Sequence, residues 1–129
     1  MELVSVIYIL AGSTCGLIVR IFVKNISGRE KIFSFNNVLI VNILSSLILG
    51  IFVGLNITNK NLILFFSVGF LGCLSTFSSF IYQLFNLIQE RKYFSLVLYY
   101  TEVLVLTFLF FCFGYFITLI WIIWKKNIY

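Results

Sequence analysis

Gly69-Phe70-Leu71-Gly72-Cys73-Leu74-Ser75-Thr76-Phe77-Ser78-Ser79-Phe80 is the stretch that decides how this chain is read. It sits in the middle of an apolar run from about Asn61 to Ile88, which is longer than the ~20 residues one straight bilayer crossing needs. A helix facing lipid would carry Leu and Ile where this segment carries glycine and hydroxyl residues. Gly, Ser and Thr at mid-membrane mark a helix break, tolerated only where protein or a polar cavity meets the freed backbone groups.

Three more apolar runs flank this one. They extend from about Leu3 to Val23 with only Arg20 charged, from about Asn37 to Leu55 with no charge, and from about Ser95 to Trp124 with only Glu102 charged. The chain of 129 residues is 62% hydrophobic and 10% charged, with no proline. A soluble domain is about 45–50% apolar and about 25% charged, so lipid is the solvent. The expectation is an all-α integral membrane protein, one domain over residues 1–129. Its four transmembrane helices run over about 3–23, 37–55, 61–88 and 95–124, with a break in the third. The start Met1-Glu2 is not basic and no small-residue cleavage site follows, which argues against a signal peptide. Trp121, Trp124, Lys125 and Lys126 form an aromatic and basic anchor at the end of the fourth run.

The net charge of +5 comes from residues mostly in the gaps between runs, so it points to the membrane surface and not to nucleic acid. Four crossings place Lys60, Lys125 and Lys126 on the side of both termini, against Lys24, Arg29, Lys31, Arg91 and Lys92 on the other side. Three against five favours both termini outside. There is no histidine, no pair of carboxylates and no phosphate-binding glycine loop, so no enzyme chemistry is indicated. Cys15, Cys73 and Cys112 are dispersed in apolar runs and read as inert buried thiols.

Spacing of four puts Gly12, Gly16 and Arg20 on one helix stripe and Asn42, Ser46, Gly50 and Gly54 on another. Small residues in such stripes let membrane helices approach closely. A buried amide in hydrocarbon needs a partner, so Asn42 is either structural glue or the lining of a pathway. Arg20 either snorkels to the interface or forms the charged mouth of an anion pathway. Glu102 is a proton carrier, a partner for Arg20, or simply interfacial. Phe77 and Phe80, three residues apart, project from one face of a helix. Beside glycines and hydroxyls they can do more than pack, because a ring presents a positive edge that attracts a small anion without trapping it.

Gly12-Ser13-Thr14-Cys15-Gly16-Leu17-Ile18-Val19-Arg20, Val41-Asn42 with Ser46 and Gly50, and Gly72-Cys73-Leu74-Ser75-Thr76-Phe77-Ser78-Ser79-Phe80 together resemble the Fluc (CrcB) fluoride channels. The three stretches are similar to that family's GGxxGxxxR, VNxxGSxxxG and GGxTTFSTF, in order and over essentially the whole chain. The resemblance implies a fluoride-specific channel that exports fluoride passively across the cell (inner) membrane and lowers cytoplasmic fluoride. The channel would be an antiparallel, dual-topology dimer with two pathways along the subunit interface. Asn42, Phe77 and Phe80 would line the pathway, with Ser78 and Ser79 as pore-side hydroxyls. The carbonyls of Gly72 and Ser75 would hold a structural, untransported sodium ion on the dimer axis. Carbonyl oxygens suit such a hard cation.

Several positions depart from the family pattern. Asn37 and Val38 replace a glycine-threonine, Cys73 replaces a glycine, and Gln83 stands where glutamate is usual. With Tyr99 taken as the family's tyrosine, Val103 replaces a pore serine and Thr107 a glycine. These losses fit one subunit of a heterodimer with a related, oppositely oriented partner, and the homodimer stays open beside it. They also leave room for a non-conducting assembly partner. A small proton-coupled multidrug exporter would need a carboxylate deep in the first helix, which has none beyond Glu2 at its edge.

Overall fold

The computed structural model describes residues 2–27 and 34–128, and everything described is helix or connecting turn. Arg29 and Lys31 lie outside the described residues, as does the side chain of Asn37. In order come α1 (Glu2–Ser27), α2 (Ser34–Gly54), α3 (Lys60–Ile63), a π-helical stretch (Leu64–Leu71), α4 (Gly72–Leu74), α5 (Phe77–Gln89) and α6 (Tyr93–Ile128). Three helical stretches among the described residues, Leu3–Asn25, Lys60–Gln89 and Tyr93–Ile128, are long and apolar enough to cross a bilayer, and Val38–Gly54 is a shorter apolar helix. Polar flanking residues extend α1 and α6 past the apolar runs, because the backbone ladder does not stop at the membrane interface.

The connections end the helices by ordinary turn chemistry. Asn56 takes the left-handed conformation (φ 48°) after α2, which asparagine accepts more readily than most residues. After α5, Arg91 is left-handed (φ 56°), with Arg91 N–H on the Ile88 carbonyl and Lys92 N–H on the Leu87 carbonyl, each at 3.0 Å. That pattern caps the last carbonyls of a helix and turns the chain into α6.

Glycines set the two main helix pairs. A Cβ on Gly12 would lie 2.1 Å from the Phe65 carbonyl oxygen, and one on Gly16 2.3 Å from that of Phe70. Hence α1 lies directly against the π-helical stretch, where a Cβ on Gly69 would lie 2.6 Å from the Ile9 carbonyl oxygen. A Cβ on Gly50 would lie 2.1 Å from the Phe111 oxygen, and one on Gly54 1.8 Å from Thr118 Oγ1, so α2 lies directly on α6. Contacts advance in the same sense along both members of each pair, so α1 runs parallel to the third helix and α2 to the fourth, as alternating crossings require. The stripes expected from the sequence are thus contact surfaces.

The third helix breaks at Ser75 and Thr76. Ser75 is extended (φ −70°, ψ 152°) and Thr76 has φ −135° and ψ 86°, after which α5 starts afresh at Phe77. Ser75 Oγ donates to the Leu71 carbonyl at 2.9 Å, a side-chain competition with the helix ladder typical of serine. Val41, Leu71 and Leu74 pack on one side of the break. Phe80, Leu87, Tyr99 and Val103 pack on the other.

Candidate functional site

The break concentrates unpaired backbone chemistry in a small volume. In a continuous helix Thr76 N–H would donate to the Gly72 carbonyl; instead it donates to Asn42 Oδ1 of α2 at 3.0 Å. The Gly72 carbonyl is thereby released from its helical partner. Thr76 is only 4% exposed, and its Oγ1 is buried with no hydrogen-bond partner. The N–H groups of Phe77, Ser78 and Ser79 open α5 and have no acceptor one turn back, which makes this end electropositive. Backbone donors at a helix start favour an anion.

Two cavities flank the break, lined by alternate residues of it. One, of about 420 Å³, is lined by Arg20 and Lys24 of α1, by Val38 and Val41 of α2, and by Thr76, Ser79, Tyr82, Gln83, Asn86, Leu87 and Glu90. The Arg20 guanidinium is half-buried and donates to Ser79 Oγ at 3.3 Å. The side chain thus turns into the cavity, on a helix that continues two turns past it. Nor does it pair with Glu102, which is exposed on α6; among the described residues the ion pair is Lys92 with Glu90 at 2.8 Å.

The second cavity, of about 330 Å³, is an open groove lined by Asn42, Ser45, Ser46 and Leu49 of α2, by Leu71, Ser75, Phe77 and Phe80, and by Val103, Leu104 and Thr107 of α6. It holds no charged side chain. The Phe77 and Phe80 rings are 6.4 Å apart between centroids, tilted by 46°. Phe80 is 7% exposed and rests on Tyr99 and Tyr100, whereas Phe77 is 75% exposed and stands free at the groove's edge.

The structure therefore brings Asn42, Ser75, Phe77 and Phe80 to one groove, and Arg20 and Ser79 to the adjoining basic cavity. Ser78 is exposed and lines neither. Gly72 is exposed as well, and a Cβ there would meet nothing within 4 Å, unlike Gly12, Gly16, Gly50, Gly54, Gly69 and Gly114. Val103 is buried behind Phe80 and Tyr99, and Thr107 Oγ1 turns back to the Val103 carbonyl at 2.7 Å. Sequence reasoning missed Thr76, Ser45 and the pairing of Tyr99 with Gln83. The run of hydroxyls around Thr76 held the signal for the first.

Comparison with known proteins gives a consistent answer. A protein family described as "CrcB-like protein, Camphor Resistance (CrcB)" matches residues 7–115. The chain is 73% identical over 122 residues, 95% of its length and 99% of the relative's, to "Fluoride-specific ion channel FluC 2" of Prochlorococcus marinus subsp. pastoris. It is 48% identical to the protein of the same name from Prochlorococcus marinus strain MIT 9312, over 91% of this chain and 96% of that one. It is 36% identical to "Fluoride-specific ion channel FluC" of Pyrococcus furiosus, over 76% and 82% of the two chains.

Proposed function

Because the chain belongs to the CrcB family, we propose that it is a multi-pass membrane protein forming a passive, fluoride-specific channel and not an enzyme. The carrying observation is the helix break, where an uncharged groove with two phenylalanine rings adjoins a basic cavity. Arg20, Lys24 and the start of α5 raise the local concentration of an anion. The groove then offers only the Asn42 amide, hydroxyls and ring edges, which replace part of a small ion's water shell and release it again. A larger anion gains less from the same few contacts. Fluoride would leave the cytoplasm through the cell (inner) membrane down its own gradient.

The groove also argues for a dimer. Polar groups at mid-membrane are not left to hydrocarbon, and Phe77 with Asn42 and Ser46 opens outward. A second subunit in opposite orientation would cover them; the split of five cationic residues against three favours a related chain with the opposite preference, and a second copy inserted the other way is the alternative. The same contact would bring together the carbonyls of Gly72 and Ser75, both freed by the break and both on the exposed side. These oxygens fit a structural sodium ion, for which a hard carbonyl cage is the suitable chemistry. That Gly72 has open space around it within the subunit supports a constraint from outside the subunit.

The test is efflux from liposomes loaded with fluoride or chloride, with a potassium ionophore to carry the counter-current. Fluoride should leave without a proton gradient while chloride is retained. Flux that needs a proton gradient, or equal chloride flux, would defeat the proposal. No fluoride flux from this chain alone, with flux restored by a related partner whose own phenylalanines suffice, would favour the non-conducting assembly role.

A further inference from the structure

The last part of α6 stands clear of the rest of the subunit. α6 packs on α5 near its start and on α2 along its middle. α2 ends at Gly54, which packs against Thr118, and past that level α6 runs on through residues 119–128. Every residue of 120–128 is exposed. A helix end that is bare on all sides and carries Ile120, Trp121, Ile123, Trp124 and Ile128 is built to be covered by lipid or by protein, not by water. Its height fits the polar edge of a bilayer. At about 1.5 Å per residue, Trp121 lies roughly 5 Å and Lys125 roughly 10 Å past Thr118, and each headgroup layer is about 5–8 Å thick. The polar turn with Asn56, Thr58, Asn59 and Lys60 marks the same edge beside α2. These last residues lie beyond the stretch 7–115 that matches the family, so membership of the family does not account for them.

Two lysines complete the segment. Lys125 Nζ lies 5.3 Å from the centre of the Trp121 ring, one turn back along the helix. Side chains on a helix lean toward its N-terminus, so at this end the ammonium reaches back to the level of Trp121 and not outward into water. Lys126 starts about 100° further round the axis, which spreads the positive charge over two faces. No acid follows Glu102 on α6 to cancel it. We propose that residues 119–128 form an interfacial foot that binds anionic phospholipid. The tryptophan and isoleucine side chains sit among the glycerol groups and upper acyl chains, while Lys125 and Lys126 pair with lipid phosphates. A zwitterionic headgroup brings its own ammonium to that phosphate, so an anionic lipid gains more from the two lysines. A second copy of the chain is the other cover to consider, and it has little to set against them. Of its acids, Glu30 sits between Arg29 and Lys31, and Glu90 already pairs with Lys92. The foot is independent of the ion pathway.

Trp121 and Trp124 are the two tryptophans of the chain, so selectively excited tryptophan fluorescence reports on this segment alone. The test uses the full-length protein in vesicles of phosphatidylcholine and phosphatidylglycerol in equal parts. Bromine, which quenches tryptophan on contact, is carried high on the acyl chains of one lipid or of the other. Brominated phosphatidylglycerol should quench more strongly, equivalent to a relative binding constant about fivefold or more in favour of the anionic lipid, the size expected of one lysine beside a charged surface. Lys125→Gln/Lys126→Gln should bring that ratio close to one, with helix content and elution on size exclusion unchanged. Raised salt should lower the ratio of the unsubstituted protein, a comparison that needs no variant. Equal quenching by the two lipids in the wild type, a ratio indifferent to salt, or a ratio kept in full by the double variant would overturn the preference for anionic lipid. Quenching by neither lipid would mean that protein covers the tryptophans, as a second copy would, and would overturn the foot itself. If the double variant fails to insert, Lys125→Gln and Lys126→Gln are measured singly, and each should lower the ratio.

Discussion

Replacing Asn42 with Leu separates holding the break from lining the groove. Asn42 Oδ1 accepts the Thr76 N–H at 3.0 Å, and Thr76 is 4% exposed, so this donor depends on the Asn42 amide. Leucine keeps the volume and removes the acceptor. A buried donor left unpaired costs about 1–3 kcal/mol, which at ~1.4 kcal/mol per factor of ten corresponds to a roughly 5- to 140-fold shift toward molecules with a disordered break. Thermal unfolding in detergent, followed by size exclusion, should place Asn42→Leu clearly below the wild type. Asn42→Asp retains an acceptor oxygen and should unfold above the Leu variant, yet it should pass little fluoride because its charge stands in the groove. A Leu variant as stable as the wild type would refute the role of Asn42 at the break. An Asp variant conducting like the wild type would refute the groove as an anion path.

Gly50→Ala puts a Cβ 2.1 Å from the Phe111 oxygen; α2 and α6 would have to part, at a cost of about 1–3 kcal/mol or more, seen as a lowered unfolding temperature in detergent. A bulky residue at Gly72 meets nothing within its own subunit, so Gly72→Leu should leave helix content intact and shift the protein from dimer to monomer. Exchanging sodium for a large organic cation should loosen the dimer on size exclusion, with no sodium flux at any stage and with Ser75→Ala mild, since the proposed ligands there are backbone oxygens. A cysteine placed at Asn127 should be labelled mainly from outside the cell; equal labelling from both sides, with only this chain expressed, would favour dual insertion and a homodimer.

The parts of this fold that were legible in the sequence are those with a single physical reading. A cluster of glycine and hydroxyl residues in an overlong apolar run points to a break met by protein or a polar cavity, and the chain breaks at Ser75 and Thr76 within it. Glycines four apart in apolar helices can only be contacts, and Gly12, Gly16, Gly50 and Gly54 are. What was not legible depends on angles no linear pattern carries. Ser78 and Ser79 are neighbours, but successive helical residues point about 100° apart, so one is exposed while the other meets Arg20, which lies 59 positions away in sequence. The direction of Arg20 depended on how α1 packs beside the start of α5, where Ser79 accepts its hydrogen bond. The bond between Tyr99 and Gln83 needed the hairpin of α5 and α6 to close. The π-helical stretch Leu64–Leu71 has no compositional mark of its own; its wider turns present the Phe65 carbonyl to Gly12.

In the proposed pathway an anion passes the edges of the Phe77 and Phe80 rings. Phe77→Ile tests it most directly, because Phe77 is 75% exposed within the subunit and isoleucine there removes almost no internal packing while abolishing the positive ring edge. Phe80→Ile is the companion, with a loss of packing on Tyr99 and Tyr100 to be measured alongside. The measurement is the rate of fluoride release from liposomes, made with the dimer verified and, for an unlike pair, with each subunit substituted in turn. Phe77→Ile should lower the flux tenfold or more, on the order expected when an interaction worth about 1.4 kcal/mol is removed from the path. Undiminished fluoride flux through both Ile variants of this chain, with the dimer intact, would contradict it and leave Phe77 and Phe80 as packing residues.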